Sequence, residues 1–206
     1  KWGINLPMNF STAEEFRDPK YDPQLQDVLF EEAKITDNNA SRDYTHRTSL
    51  SFINVKKERT NPDKKKRPYD IENLSVSYAF NQTYHRDYNT KLLRDQNVRA
   101  SANYNYIFKP YILEPFKNTR FFDKKSYLKF IRDLNINLIP TSLAINTNIR
   151  RTYNEQLSRT LVGGLPDLPT LKQRYFLFDW DYNIAYNLTQ SLDFNFRAAN
   201  NFVYDD

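Results

Sequence analysis

The side chains best suited to acid–base or metal chemistry are few and scattered. The two histidines, His46 and His85, lie in different segments, with Asp43 and Asp87 nearby. A histidine beside a carboxylate could ligate zinc or exchange protons, but histidines that simply lie in loops explain the pattern better. The chain has no cysteine, which excludes disulfides and thiolate metal sites.

Three aspartates could converge on one surface. Asp179 and Asp181 are two residues apart, so they share a strand face, and Asp193 is expected to pair near residue 187. Carboxylate pairs catalyse glycoside hydrolysis, but a hydrated wall with Arg197 as partner charge explains these residues without catalysis. We therefore predict no enzyme activity, no cofactor and no metal.

The segment that contains these aspartates alternates strictly between apolar and polar residues. After Arg174, the even positions from Phe176 to Leu188 are aromatic or aliphatic and the odd positions are mostly polar, a period that places each set on one face of a β-strand. The pattern resumes after residues 189–191.

The requirement that paired residues share a face predicts the length of the turn between these two runs. A two-residue turn would pair Tyr186 with Asp193 and mix the faces, whereas a three-residue turn keeps them matched. The pairs expected from the second register are Leu188 with Leu192, Tyr186 with Phe194 and Ile184 with Phe196.

The same alternation recurs along the chain and predicts an all-β antiparallel meander within one domain, residues 1–206. Pro7 marks a bulge or a strand end. Short helices are predicted at 22–34 and 123–134, and a long loop at 154–172. The strands are predicted at 2–10, 44–55, 71–84, 97–108, 141–153, 173–188 and 192–204.

Three features favour a membrane barrel over a soluble β-sandwich, which would alternate in the same way. The run 174–188 is longer than a typical soluble strand, which has about 5 or 6 residues. The polar faces of the strands are rich in Asn, Ser and Asp rather than Lys and Glu, and tyrosines gather towards strand ends. The apolar faces at 74–80 and 176–188 carry no charge, as a bilayer would require.

This interpretation assigns each strand residue to lipid or to a water-filled lumen. The predicted lipid-facing residues are Leu74, Val76, Tyr78, Phe80, Tyr104, Tyr106, Leu143, Ile145, Phe176, Phe178, Trp180, Tyr182, Ile184, Tyr186, Leu188, Leu192, Phe194 and Phe196. The predicted lumen-facing residues are Asn73, Ser75, Ser77, Asn81, Arg99, Ser101, Asn103, Asn146, Asn148, Asp179, Asp181, Asn183, Asp193, Asn195 and Arg197.

Composition is compatible with such a barrel. Mean hydropathy is −0.80, but apolar and polar residues cancel along a barrel strand, and no apolar run is long enough for a membrane helix. The net charge of +5 is concentrated in residues 56–67, which are expected to form a solvated loop, with lipopolysaccharide contact as the next choice and nucleic acid disfavoured. The alternation already under way at Trp2 and Ile4 suggests an internal piece of a longer chain.

Several segments resemble the SprA/Sov outer-membrane translocon family of the Bacteroidota type IX protein secretion system. They are FINVKKER at 52–59, YDIENLSVSY at 69–78, EPFKN at 114–118, LIPTSL at 138–143 with NTN at 146–148, RTYNE at 151–155 and YNLTQSL at 186–192. These segments span most of residues 45–204, whereas 11–44 carry little of the resemblance.

The resemblance implies part of a very large transmembrane β-barrel in the outer membrane that passes folded cargo proteins to the cell surface. It also implies contacts with membrane lipid and lipopolysaccharide, a smaller barrel protein that caps a lateral opening, a periplasmic plug protein and secreted cargo, but no nucleic acid. Two alternatives stay open: a soluble surface β-sandwich that binds carbohydrate, and another large outer-membrane transporter barrel.

Overall fold

The computed structural model describes residues 3–23, 25, 27–32, 42–61, 63, 65–115, 135–161, 166, 168–189 and 191–205. Nearly all of its regular structure is β. The strands are β1 (Ile4–Asn5), β2 (Met8–Arg17), β3 (Asp43–Lys57), β4 (Leu74–Arg86), β5 (Thr90–Ile107), β6 (Ile112–Leu113), β7 (Ile136–Asn137), β8 (Ser142–Ser158), β9 (Leu171–Thr189) and β10 (Leu192–Asp205).

One eight-stranded antiparallel sheet dominates the molecule. Its order is β1-β3-β4-β5-β8-β9-β10, with β2 also paired to β3, so neighbours in space follow the chain as in a meander. β6 and β7 form a separate two-stranded sheet within the long β5–β8 connection. The meander prediction is confirmed, but the sheet is open: β10 and the β1–β2 position lie at opposite edges and do not pair with each other.

The predicted strands exist, but several are longer than expected. β5 begins at Thr90 rather than 97, β8 ends at Ser158 rather than 153, and β2 runs on to Arg17. Residues 154–158 and 171–172 of the loop predicted at 154–172 therefore belong to β8 and β9. These extensions carry polar residues on both faces, so they lack the alternation that reveals a strand in a sequence.

The first strand is interrupted at Pro7, as predicted. The Pro7 carbonyl accepts the Ile53 N–H at 3.2 Å, and the register of β3 against β4 shifts between Phe52 and Val55. Asn54 in this bulge has φ of 55°, and its N–H donates to Ser77 Oγ at 2.9 Å. Asparagine tolerates this left-handed conformation better than most residues.

The β9–β10 turn corrects the predicted register at its tip. Tyr186 pairs with Phe194 and Ile184 with Phe196, as expected, but Leu192 pairs with Thr189 rather than with Leu188. Leu188 is the extra residue of a bulge. The bulge keeps the apolar faces matched although the connection is shorter than predicted.

Two smaller predictions are wrong. The described part of 22–34 contains no helix; instead Tyr21 bridges Leu29, and Asp22 Oδ1 accepts the Leu25 N–H at 3.0 Å. A helix N-cap residue makes the same hydrogen bond, but here no helix follows it in the described residues. Asn73 ends a 3-10 turn (Ile71–Asn73) outside the sheet, so it is not a strand residue. The helix predicted at 123–134 lies outside the described residues.

Candidate functional site

One face of the sheet is largely apolar, with Thr147, Asn200 and Arg151 as exceptions among the paired strands. The pairings align the predicted lipid-facing residues in rows, because paired residues share a face. Tyr106, Leu143, Ile184 and Phe196 form one row; Leu74, Tyr104, Ile145 and Tyr182 the next; Tyr78, Ala100, Ile149, Phe178 and Phe202 a third. Leu188 and Leu192, at the bulge, stand outside these rows.

On this face the apolar side chains stop before the strands do. The last row with several apolar residues contains Phe80, Val98, Arg151 and Phe176. The row beyond it is Thr12, Thr48, Gln82, Gln96, Tyr153 and Arg174. Gln96 Nε2 donates to Gln82 Oε1 at 2.9 Å, so this row is tied across strands. In the row beyond it, Glu155 lies 3.7 Å from both Arg94 and Lys172. The apolar surface is therefore a band with a polar border.

The band has a height suited to a bilayer. Ten residues separate Phe176 from Tyr186 on β9, which is about 33 Å along a strand. A strand tilted by about 40° would rise by about 25 Å over that distance, the height of the apolar band of outer-membrane barrels.

Tyrosine hydroxyls mark the opposite end of the band. Tyr104 donates to the Pro68 carbonyl at 2.6 Å, Tyr106 to the Lys66 carbonyl at 3.2 Å, and Tyr186 to the Asn137 carbonyl at 2.5 Å. Each ring thus lies in the apolar face while its hydroxyl reaches a connecting segment, an arrangement that suits a membrane interface.

These bonds also fix the basic segment predicted as a solvated loop. Arg59 Nε lies 3.6 Å from Glu72 Oε2, and Lys65 and Lys66 are exposed. The segment is therefore anchored at the edge of the band, with Arg59 held beside Glu72 and with Lys65 and Lys66 in water.

Within the described residues, no second layer covers either face of the sheet beyond the segment that buries Tyr106. Among the described residues only Phe30 and Tyr106 are buried hydrophobics, and Phe10, Phe194 and Phe202 are 59, 62 and 56 % exposed. A soluble sandwich buries one face of each sheet against a second layer. The described residues supply no such layer, since the second sheet has strands of only two residues.

The opposite face carries short polar side chains that bond across strands. Asn146 Nδ2 donates to Asp181 Oδ2 and Asn148 Nδ2 to Asp179 Oδ2, both at 2.9 Å, and Ser49 Oγ donates to Asn81 Oδ1 at 2.6 Å. The pairings place Ser75, Ser77, Ser101, Asn103, Asn183, Asn195 and Arg197 on this same face.

Two arginines lie directly opposite each other on the polar face. Arg99 pairs with Arg150, and Arg99 Nε donates to Asn97 Oδ1 at 3.1 Å. Both line a shallow cavity of about 410 Å³ together with Ser77, Ser101 and Asp179. Like charges opposite each other disfavour the pairing, but both side chains are exposed, so solvent screens their repulsion.

The aspartates do not converge as a set. Asp193 pairs with Asn187, six residues along β9 from Asp181, or roughly 20 Å. Asp179 and Asp181 share a face, but asparagine amides hold them rather than Arg197, which pairs with Asn183. They are part of the polar ladder of the sheet.

The histidines lie in strands, not in loops, and on opposite faces. His46 Nε2 is 3.1 Å from Thr12 Oγ1. His85 Nδ1 is 2.9 Å from Thr45 Oγ1 and 3.4 Å from Asp43 Oδ1, and its Nε2 is 3.3 Å from Asp87 Oδ2. No group of three or more His, Cys, Asp or Glu able to hold a metal occurs among the described residues.

The described residues include no helix with the length and apolar character needed to cross a membrane. A scan against models of known protein families finds no match, and no curated protein is significantly similar to the chain.

Proposed function

We propose that this chain is a wall segment of a large outer-membrane β-barrel that conducts folded proteins to the cell surface. The observation that carries the proposal is the uncovered single-layer sheet with an apolar band on one face and an Asn/Ser/Asp ladder on the other. Such a sheet is stable where hydrocarbon covers one face and water the other.

Closure in a bilayer requires further strands. Backbone groups at an open sheet edge are costly in hydrocarbon, and both edges here are free of a partner within the described residues. The additional strands would come from the same polypeptide or from another. In small barrels, side chains fill the interior. The polar face here is not packed against other described residues, so the proposed barrel would be larger and would have a wide lumen.

The polar face suits the passage of folded proteins because it offers few apolar patches that would retain them. The sequence resemblance to the type IX translocon supports this cargo class and the associated partners: a smaller capping barrel, a periplasmic plug protein and secreted cargo. A sandwich that binds carbohydrate is disfavoured, since its second sheet is missing from the described residues.

Cross-linking in living cells tests the proposal. A photo-reactive residue at Asn148, on the polar face, is expected to capture secreted proteins in transit, because that side chain would line their path. The matched position is Ile149, the next residue, which lies on the apolar face.

Capture of secreted proteins from position 148 alone is the expected result. Equal capture from both positions, or capture of no secreted protein from 148 in a strain that is actively secreting, would contradict the proposal. A barrel for small solutes would give the latter outcome.

A further inference from the structure

Arginine is the first charged residue on the apolar face of four successive strands. Moving towards the end of the sheet that carries Asp87, the apolar residues give way to Arg86 on β4, Arg94 on β5, Arg151 on β8 and Arg174 on β9. We call these four residues the arginine border. No lysine or acidic residue precedes them on this face of β4, β5, β8 or β9.

The border is strongly cationic. Among the described residues of this face on these four strands, the single carboxylate is Glu155, which is shared between Arg94 and Lys172 at 3.7 Å each. Arg86 stacks over the Tyr44 ring, with its Cζ 5.3 Å from the centroid. The Nε atoms of Arg86 and Arg94 are shielded and have no hydrogen-bond acceptor within the described protein.

The border also runs obliquely across the sheet. Gln82 pairs with Gln96, Gln96 with Tyr153 and Tyr153 with Arg174, so Arg174 lies in the same cross-strand row as Gln82. Arg86 lies four residues further along β4 than Gln82. This is a rise of about 13 Å over three strand spacings of about 4.8 Å, an inclination of about 43°. Barrel strands tilt by about 35–45°, so a line at this angle in the sheet becomes parallel to the membrane plane.

Arg151 stands above this line, about 11 Å nearer the middle of the band. Its side chain is exposed and long enough to reach towards the border, as arginines near a membrane interface do.

We propose that the arginine border binds the phosphate groups of membrane lipids at the level of their headgroups. This inference rests on the proposed barrel and adds the lipid class that it selects. Guanidinium groups bind phosphate through paired hydrogen bonds, and a row of them beside an apolar band matches lipids that carry a phosphate above acyl chains. Phosphatidylglycerol therefore binds better than phosphatidylcholine, whose phosphate is neutralised within the headgroup.

The test uses the protein that contains this chain, reconstituted in vesicles, and spin-labelled phosphatidylglycerol and phosphatidylcholine to measure their relative association. Each of Arg86→Gln, Arg94→Gln and Arg174→Gln is expected to lower the association constant of phosphatidylglycerol about fivefold and to leave that of phosphatidylcholine unchanged. The control is Arg47→Gln/Arg99→Gln/Arg150→Gln, which removes three charges from the opposite face.

The proposal would be overturned if the two lipids associated equally with the wild-type protein, or if the control variant lost as much phosphatidylglycerol association as the border variants. Displacement of the lipid by inorganic pyrophosphate would also overturn it, because it would indicate a site for free anions. If the glutamine variants fail to insert, Arg86→Lys/Arg94→Lys/Arg174→Lys keeps the charges and must keep the preference. Failure of the wild-type protein to associate with either lipid would instead refute the proposed barrel.

Discussion

At the scale of single residues, the turn between β4 and β5 is stabilised by an aspartate side chain and contains no glycine. Asp87 begins the 87–89 turn between β4 and β5, and its Oδ1 accepts the N–H groups of Asn89 at 2.9 Å and Thr90 at 2.5 Å. Burial alone would raise the pKa of the Asp87 carboxyl, but hydrogen bonds from Thr90, His85 and Asn89 outweigh burial and hold this pKa below its ordinary value of 3.8. A side-chain acceptor thus replaces the glycine of many hairpins.

Asp87→Ala is expected to destabilise the folded protein by about 1 kcal/mol at neutral pH. Because the pKa is lowered on folding, this stabilisation is complete above the ordinary pKa and is lost as the pH falls through the folded-state pKa. Urea unfolding in lipid vesicles at pH 7 and pH 3 measures it. A difference between wild type and variant that is as large at pH 3 as at pH 7 would refute the role of the charge.

At the scale of elements, the β-bulge at 53–54 allows β3 to pass the interruption at Pro7. Asn54→Gly is expected to be nearly neutral, whereas Asn54→Val should cost about 1–2 kcal/mol, because φ of 55° strains a β-branched residue. Urea unfolding checks both variants. Ser51→Val, in the regular part of β3, is the matched control and should be tolerated; an equal loss there would mean that the bulge conformation is not the cause.

Sequence alternation predicted the strands where one face is apolar and failed where polar and apolar residues are mixed on both faces. Leu74 to Tyr84 and Phe176 to Tyr186 were visible for this reason, whereas Thr90 to Gln96 were missed because Lys91, Arg94 and Asp95 give no two-residue period. Those residues are in the sheet because their backbone groups pair with β4 and β8. The bulge at Leu188 was also not predictable. Matching the apolar faces fixes which residues of β9 and β10 pair, but a longer turn and a bulge next to a shorter turn give the same pairs.

Cross-strand partners were the least predictable part of the candidate site. The two faces could be assigned residue by residue, but the amide partners of Asp179 and Asp181 depend on the register between β8 and β9, which are joined by a long connection. The arginine border was hidden for the same reason, because its members are far apart in sequence and become neighbours only through strand pairing.

At the scale of the whole molecule, the central feature is a sheet that a globular core does not explain. Its strands reach 19 residues in β9, about 60 Å, which is longer than a bilayer requires. The polar border rows show where the excess length lies, beyond the apolar band at the end that carries Asp87. The proposed barrel wall would account for both the length and the border if it extended past the membrane.

Trp180 tests most directly whether the apolar face meets hydrocarbon. It lies on that face in the middle of β9, paired with Thr147 and Asn200, with its ring 4.8 Å from that of Phe178. The protein is reconstituted in vesicles with every other tryptophan, Trp2 included, replaced by phenylalanine. A second variant carries Trp180→Phe and Asn183→Trp, which moves the probe to the polar face.

Lipids with brominated acyl chains are expected to quench the fluorescence of Trp180 strongly while aqueous iodide does not, and the probe at 183 should show the reverse. Quenching of Trp180 by iodide, without quenching by brominated lipid, would contradict the membrane assignment of this face and the transport function proposed from it.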